Sequence, residues 1–189
     1  GDGMTPPAAE FSWPVRVYWE DTDAGGVVFY ANYLKFFERA RTEWLRAMGV
    51  EQRVLREETG AMFVVADVQL RYLASARLDD QLRVTVLVHS QGSASLVLAQ
   101  QAWRDDMLLC EGVIRVGCVS ADDLRPRRLP PTVRQALQAA IDTLNGDPKS
   151  ASSWPVAVRS SCRTAGSRTS PSPSSILLVP VEQMYRISW

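Results

Sequence analysis

One long apolar stripe of helical period, followed by four β-type runs, sets the limits on what this chain can fold into. Tyr33, Phe37, Ala40, Trp44 and Met48 recur every three to four residues, the spacing that lines up side chains on one face of a helix. Leu34 and Leu45 widen the stripe. Arg39, Arg41, Glu43 and Arg46 fall on the other side, and Gly49 is a fitting stop. The spacing predicts a helix from about Tyr30 to Met48. So many aromatics on one face predict burial against something broad, such as a sheet.

The surrounding segments supply that sheet. "WPVRVYW" (13–19) alternates and reads as a strand, with Pro14 confined to its start or to an edge. A short helix is predicted over 51–58, then strands over 61–73, 81–90, 94–104 and 108–120, joined by turn-forming "ARLDD", "QGS" and "DD". Residues 130–144 read as a terminal helix with Thr132 as its cap. Strand, long helix, then a run of strands is an α+β arrangement, one antiparallel sheet of about five strands wrapped around one central helix. It does not alternate as a doubly wound nucleotide fold would.

Residues 1–11 read as a flexible leader, with Met4 a plausible native start, and residues 12–145 as the folded domain. From Asp147 to Ser175 the chain is dense in Ser and Pro without a period. Residues 146–189 therefore read as an irregular tail, for which a frameshifted or non-native origin is one explanation.

Composition removes several function classes. Lys+Arg and Asp+Glu both total 21, so no basic field favours nucleic acid. No apolar run is long enough to span a bilayer, no signal-peptide pattern is seen, and the cytoplasm is the expected compartment. Three cysteines without CxxC spacing argue against a disulfide framework or structural zinc. The single histidine, His89, removes multi-histidine metal centres. It leaves one candidate for a Ser-His-Asp or Cys-His arrangement, so chemistry here must rest mostly on carboxylates, hydroxyls, backbone amides and arginines, with no metal.

"YWEDTDAGGVVFYANY" (18–33) crowds Glu20, Asp21 and Asp23 ahead of the long helix. The first amides of a helix lack internal partners and carry partial positive charge. A polarised carbonyl can rest there, and a carboxylate just upstream can reach its carbon, or the water attacking it. The same residues would also make a solvated turn, and spacing alone does not choose.

The stretch "VRVYWEDTDAGGVVFYANYLKFFERARTEWL", with "YLASARLDD", "GSASLV" and "RPRRLP" at matching separations, resembles the hot-dog-fold acyl-CoA thioesterases of the 4-hydroxybenzoyl-CoA thioesterase type. Within that family it is most similar to the branch associated with the Tol–Pal cell-envelope system. The resemblance covers roughly residues 13–140. It implies hydrolysis of an acyl-CoA or acyl-carrier-protein thioester, with coenzyme A as part of the substrate and no bound cofactor. It implies subunits paired edge to edge as a dimer or tetramer, with active sites at the interface. Asp23 matches the catalytic carboxylate, as nucleophile or general base, and the Tyr30 backbone amide matches the group that polarises the carbonyl. Gly25, Gly26, Val27, Val28 and Phe29 match the segment that closes around the acyl group. Ser95 matches a position near the pantetheine arm, and Arg125, Arg127 and Arg128 match a region gripping coenzyme A phosphates. Asp21 matches a structural position.

Two departures stand out. The Tol–Pal branch often carries a histidine where this chain has Tyr30, so dependence on Asp23 should be greater. It also tends to have an arginine in the turn occupied here by Gln91-Gly92. The remaining residues have plainer readings: Glu38 and Glu43 as helix ion pairs with Arg41 and Arg39, His89 as a turn residue, Cys110 and Cys118 as packed thiols. The rival functions are a hot-dog dehydratase, which would want a histidine in the motif, and a catalytically weak acyl-binding or scaffold protein of the cell envelope.

Overall fold

The structure, a computed structural model, describes residues 10–145 and 177–178. Strand β1 (Glu10–Arg16) leads through a 3-10 turn (Trp19–Asp21) and a loop into helix α1 (Asn32–Ala47). Helix α2 (Gln52–Thr59) precedes β2 (Ala61–Tyr72), β3 (Gln81–Gln91), β4 (Ser95–Arg104) and β5 (Met107–Ser120). Helix α3 (Pro131–Asn145) and a two-residue strand β6 (Leu177–Leu178) follow. The sheet has the order β1-β3-β4-β5-β2-β6, with every pairing antiparallel.

The predicted α+β arrangement is therefore present, with differences at particular elements. β1 begins at Glu10, inside the stretch read as a leader, and ends at Arg16, where Tyr18 and Trp19 had been expected to continue it. Tyr18 instead donates its N–H to the Asp21 carboxylate at 2.9 Å, which turns the chain into the 3-10 segment. Pro14 is tolerated because β1 is the sheet's edge. Thr132 lies within α3 and does not precede it; Pro131 holds the first helical position. The tail reading falls largely outside the described residues, except that Leu177–Leu178 pairs with Gln69 and Leu70 of β2 and adds a sixth strand. Cys162 lies outside them as well.

Bulges in the β2–β5, β3–β4 and β4–β5 pairings, the second at His89, bend the sheet around α1. The stripe behaves as predicted: Tyr33, Phe37, Ala40, Trp44 and Leu45 are buried, with Met48 packed against the core at the helix end. Tyr33, Phe36, Phe37, Trp44 and Phe63 are its largest fully buried side chains.

Arg41 contradicts the sequence reading. Placed on the solvent side by its charge, it is only 2% exposed. Its Nη1 donates to Gln100 Oε1 of β4 at 3.0 Å, and Gln100 Nε2 donates to the Phe37 carbonyl at 3.0 Å. Burial holds the Arg41 pKa down at about 10, against the opposing pull of Glu38. The expected Arg39–Glu43 pair gives way to Glu43–Arg46 on the exposed face. Arg39 instead lies over the Phe36 ring, 5.8 Å from its centroid.

Candidate active site

Residues 21–31 form the link between β1 and α1, and backbone hydrogen bonds fix nearly all of it. Asp21 is buried and anchors the entry: its carboxylate accepts the Tyr18 N–H, and its carbonyl accepts the Asn32 side-chain amide at 2.7 Å. A tight turn follows, closed by the Asp23 N–H to the Val27 carbonyl at 2.8 Å and the Gly26 N–H to the Asp23 carbonyl at 3.0 Å. Gly26 has φ +77°, which side chains rarely adopt. A side chain on Gly25 would meet Asp23 Oδ1 at 3.2 Å. The far side of the turn is tied down by the Val28 N–H to the Ala76 carbonyl at 2.8 Å and by a bridge between Val27 and Arg77.

This frame aims Asp23. Its Oδ1 accepts the Gly25 N–H at 2.8 Å and the Val27 N–H at 3.3 Å, while Oδ2 takes no hydrogen bond from any described residue. The carboxylate lies on the wall of a cavity of about 500 Å3, shared with Val28, Phe29, Tyr30, Tyr33 and Tyr72. It is the sole carboxylate among the lining residues. Tyr30 precedes α1 in a turn, and its N–H donates to no described residue. Asp23 and Tyr30 thus line one space, and the Tyr30 N–H takes no partner among the described residues.

Three tyrosine rings form the rest of that wall. Tyr72 meets Tyr30 edge-on at 5.8 Å and Tyr33 at 5.7 Å. Burial pushes the Tyr33 phenol above its ordinary value, only partly offset by the Ala76 N–H it accepts at 3.1 Å. Burial raises the Tyr72 phenol likewise. Both rings therefore stay neutral at physiological pH. Tyr33, Tyr72, Leu73 and Ser75 were not foreseen as cavity residues.

The other predicted site residues are not gathered here by a single chain. Ser95 pairs with Gly117, which pairs with Val64 at the start of β2, whereas the cavity lies at Tyr72, the end of β2. Eight residues of strand put roughly 26 Å between them. Arg127 lies at the Ser95 end: its N–H donates to the Cys118 carbonyl, and its Nη1 donates to the Thr59 carbonyl at 2.6 Å at the end of α2. Arg125 is exposed and pairs loosely with Asp123, and Arg128 is exposed. His89 sits in the β3 bulge with its Nδ1 3.3 Å from Ser90 Oγ, and is not a lining residue of the cavity. Cys110 and Cys118 are buried, and burial raises both thiols. Among the described residues, no group of three or more His, Cys, Asp or Glu is placed to hold a metal ion, and no helix is long and apolar enough to cross a membrane.

Comparison with known proteins bears on the family and the fold. The Thioesterase superfamily profile matches residues 25–111. An acyl-CoA thioesterase, YbgC of Haemophilus influenzae, is 44% identical over 126 residues, covering 67% of this chain and 93% of that protein. The chain belongs to the thioesterase superfamily. The acyl-CoA thioester hydrolase YbgC of Escherichia coli O6:H1 is 46% identical over 124 residues, 65% of this chain and 92% of the relative. The DHNA-CoA thioesterase of Staphylococcus aureus superposes with a TM-score of 0.66 at 21% identity, covering 72% of this chain and 93% of that one. That last likeness bears on the fold alone, and the fold of this superfamily member is the hot-dog arrangement that the residues suggested.

Proposed function

We propose that this thioesterase hydrolyses an acyl-CoA to the free acid and coenzyme A, with Asp23 and the Tyr30 amide as its working groups. What supports the reading is one observation: Asp23 is pinned through Oδ1 with Oδ2 left over, in a cavity also lined by Tyr30, whose helix-start N–H has no partner among the described residues. As nucleophile, Oδ2 attacks the thioester carbonyl carbon, the C–S bond breaks, the thiolate takes a proton, and water cleaves the anhydride. As base, Asp23 takes a proton from water, hydroxide attacks the same carbon, and the thiolate leaves and is protonated. In both routes the carbonyl oxygen gains negative charge, which the Tyr30 N–H and the α1 dipole stabilise. A thiol-release survey over acyl-CoA and acyl-carrier-protein substrates of graded chain length, with aromatic acyl groups included, tests it. Release from at least one acyl-CoA is expected; no release from any of them sinks the enzyme reading.

We also propose that the site is completed by a second copy. An antiparallel pairing of β2 with its counterpart, centred near Val68, sets the Val64 end of one strand beside the Tyr72 end of the other. Ser95 and Arg127 of one copy then approach the Asp23 cavity of the next, which resolves their separation within one chain. The pairing uses the edge that β6 now holds at Gln69 and Leu70, so β6 gives up those two pairs in the assembly. Light scattering on the full chain should give a dimer or tetramer mass; a monomer at micromolar concentration would remove this proposal.

A further inference from the structure

We propose that Tyr72 is a positioning residue for the reaction: its hydroxyl holds the Tyr30 carbonyl and so keeps the Tyr30 amide aimed at the substrate carbonyl. The inference rests on the reading of Tyr30 given above. Tyr30 lies outside α1, so the regular helical ladder does not hold it. The peptide before it is fixed by the Phe29 carbonyl, which accepts the Asn32 N–H at 2.9 Å. The peptide after it has two donors: the Tyr33 N–H at a long 3.3 Å and the Tyr72 hydroxyl at 3.0 Å. Tyr72 is therefore the firmer of the two anchors, and it comes from β2, which is hydrogen-bonded along its length to β5.

The ring adds a second constraint. Tyr72 packs on Tyr30 and on Tyr33, and the Tyr33 hydroxyl is itself tied to the Ala76 N–H. The three rings thus tie the start of α1 to the end of β2 and to the segment that clamps Val28. Because burial keeps the Tyr72 phenol protonated, the hydroxyl remains a donor across the working pH range. An amide that must meet a developing oxyanion tolerates little misplacement, since an ångström can cost a hundredfold in rate.

The test is Tyr72→Phe, which keeps the ring and deletes the hydroxyl, assayed on the best acyl-CoA of the survey. The expected result is a kcat about tenfold lower, from loss of one aiming hydrogen bond, with KM within about twofold of wild type. Thermal stability and the shape of the pH profile should not change. Tyr72→Leu, which also removes the ring, should show the same kcat loss and in addition a higher KM. An unchanged kcat in Tyr72→Phe overturns the proposal, and so does a kcat loss that only tracks a fall in melting temperature. Asp23→Asn serves as the separate control. If that variant keeps its rate, the Asp23 reading fails; if it loses activity while Tyr72→Phe behaves as wild type, only the Tyr72 inference fails.

Discussion

Asp23→Asn is expected to lower kcat for acyl-CoA hydrolysis by about 10^2- to 10^4-fold, the range for losing a positioned acid–base group. The substitution is nearly isosteric. Its amide oxygen can still accept the Gly25 and Val27 N–H groups that now hold Oδ1, so the turn should persist. What changes is the second position: an NH2 replaces Oδ2, and it can neither attack a carbonyl nor take a proton from water. KM should therefore stay near wild type, because the loss falls on the transition state. Melting temperature should move by no more than about 2 °C, and the oligomer should persist. Steady-state kinetics with calorimetry on the same preparation checks all three. Retention of the wild-type rate would remove Asp23 from the reaction. Single turnover in 18O water then separates the routes, since label incorporated into Asp23 marks an anhydride intermediate.

Among the described residues, no second carboxylate and no imidazole lines the cavity. His89, the chain's one imidazole, sits in the β3 bulge and is not a lining residue. Tyr30 also lines the cavity, with its ring half exposed and packed on Phe29 and Tyr72. Tyr33 and Tyr72 have phenols that burial keeps neutral. If the proposed reading holds, the whole wall leaves the catalytic load on Asp23.

What could be read from residues alone depended on how local the cause was. The Asp23 turn was legible because its glycines, its carboxylates and the helix start lie within a dozen positions, and the hydrogen bonds that shape it span two to four residues. The α1 stripe was legible because period alone expresses it. Tyr72 was not, since a tyrosine at a strand end is an ordinary β-former and its contact with Tyr30 spans 42 positions. Ser95 and the arginine cluster show the converse limit. The family resemblance places them at the site, and strand register puts them at the far end of β2 within one chain, a separation that no local pattern expresses. The slip at β1 has a local cause that periodicity cannot see, the capture of the Tyr18 N–H by Asp21.

Arg41 was misplaced for the strongest version of that reason, and the error yields the second large prediction. A charged residue on a helix is read as solvent-facing, because burying a charge without partners is prohibitive. One partner is Gln100, 59 positions away on β4, and no pattern in the α1 sequence announces it. Gln100 is itself fully buried and bridges two elements, accepting from Arg41 and donating to the Phe37 carbonyl, with a longer contact to the Thr85 carbonyl. Gln100→Leu keeps similar bulk but strips an acceptor from a buried guanidinium and a donor from a buried carbonyl. It is expected to cost about 3–4 kcal/mol, because a buried charge that loses a partner retains its desolvation penalty. In urea unfolding this appears as a lower midpoint with an unchanged slope. Arg41→Met combined with Gln100→Leu should be more stable than Gln100→Leu alone, since the charge that needed the acceptor is gone. A single-variant loss below about 0.5 kcal/mol, the size of an ordinary surface change, would mean that the Arg41–Gln100 contact does not fasten α1 to the sheet. Equal losses in the single and double variants would mean that the cost comes from leucine packing and not from the stranded charge.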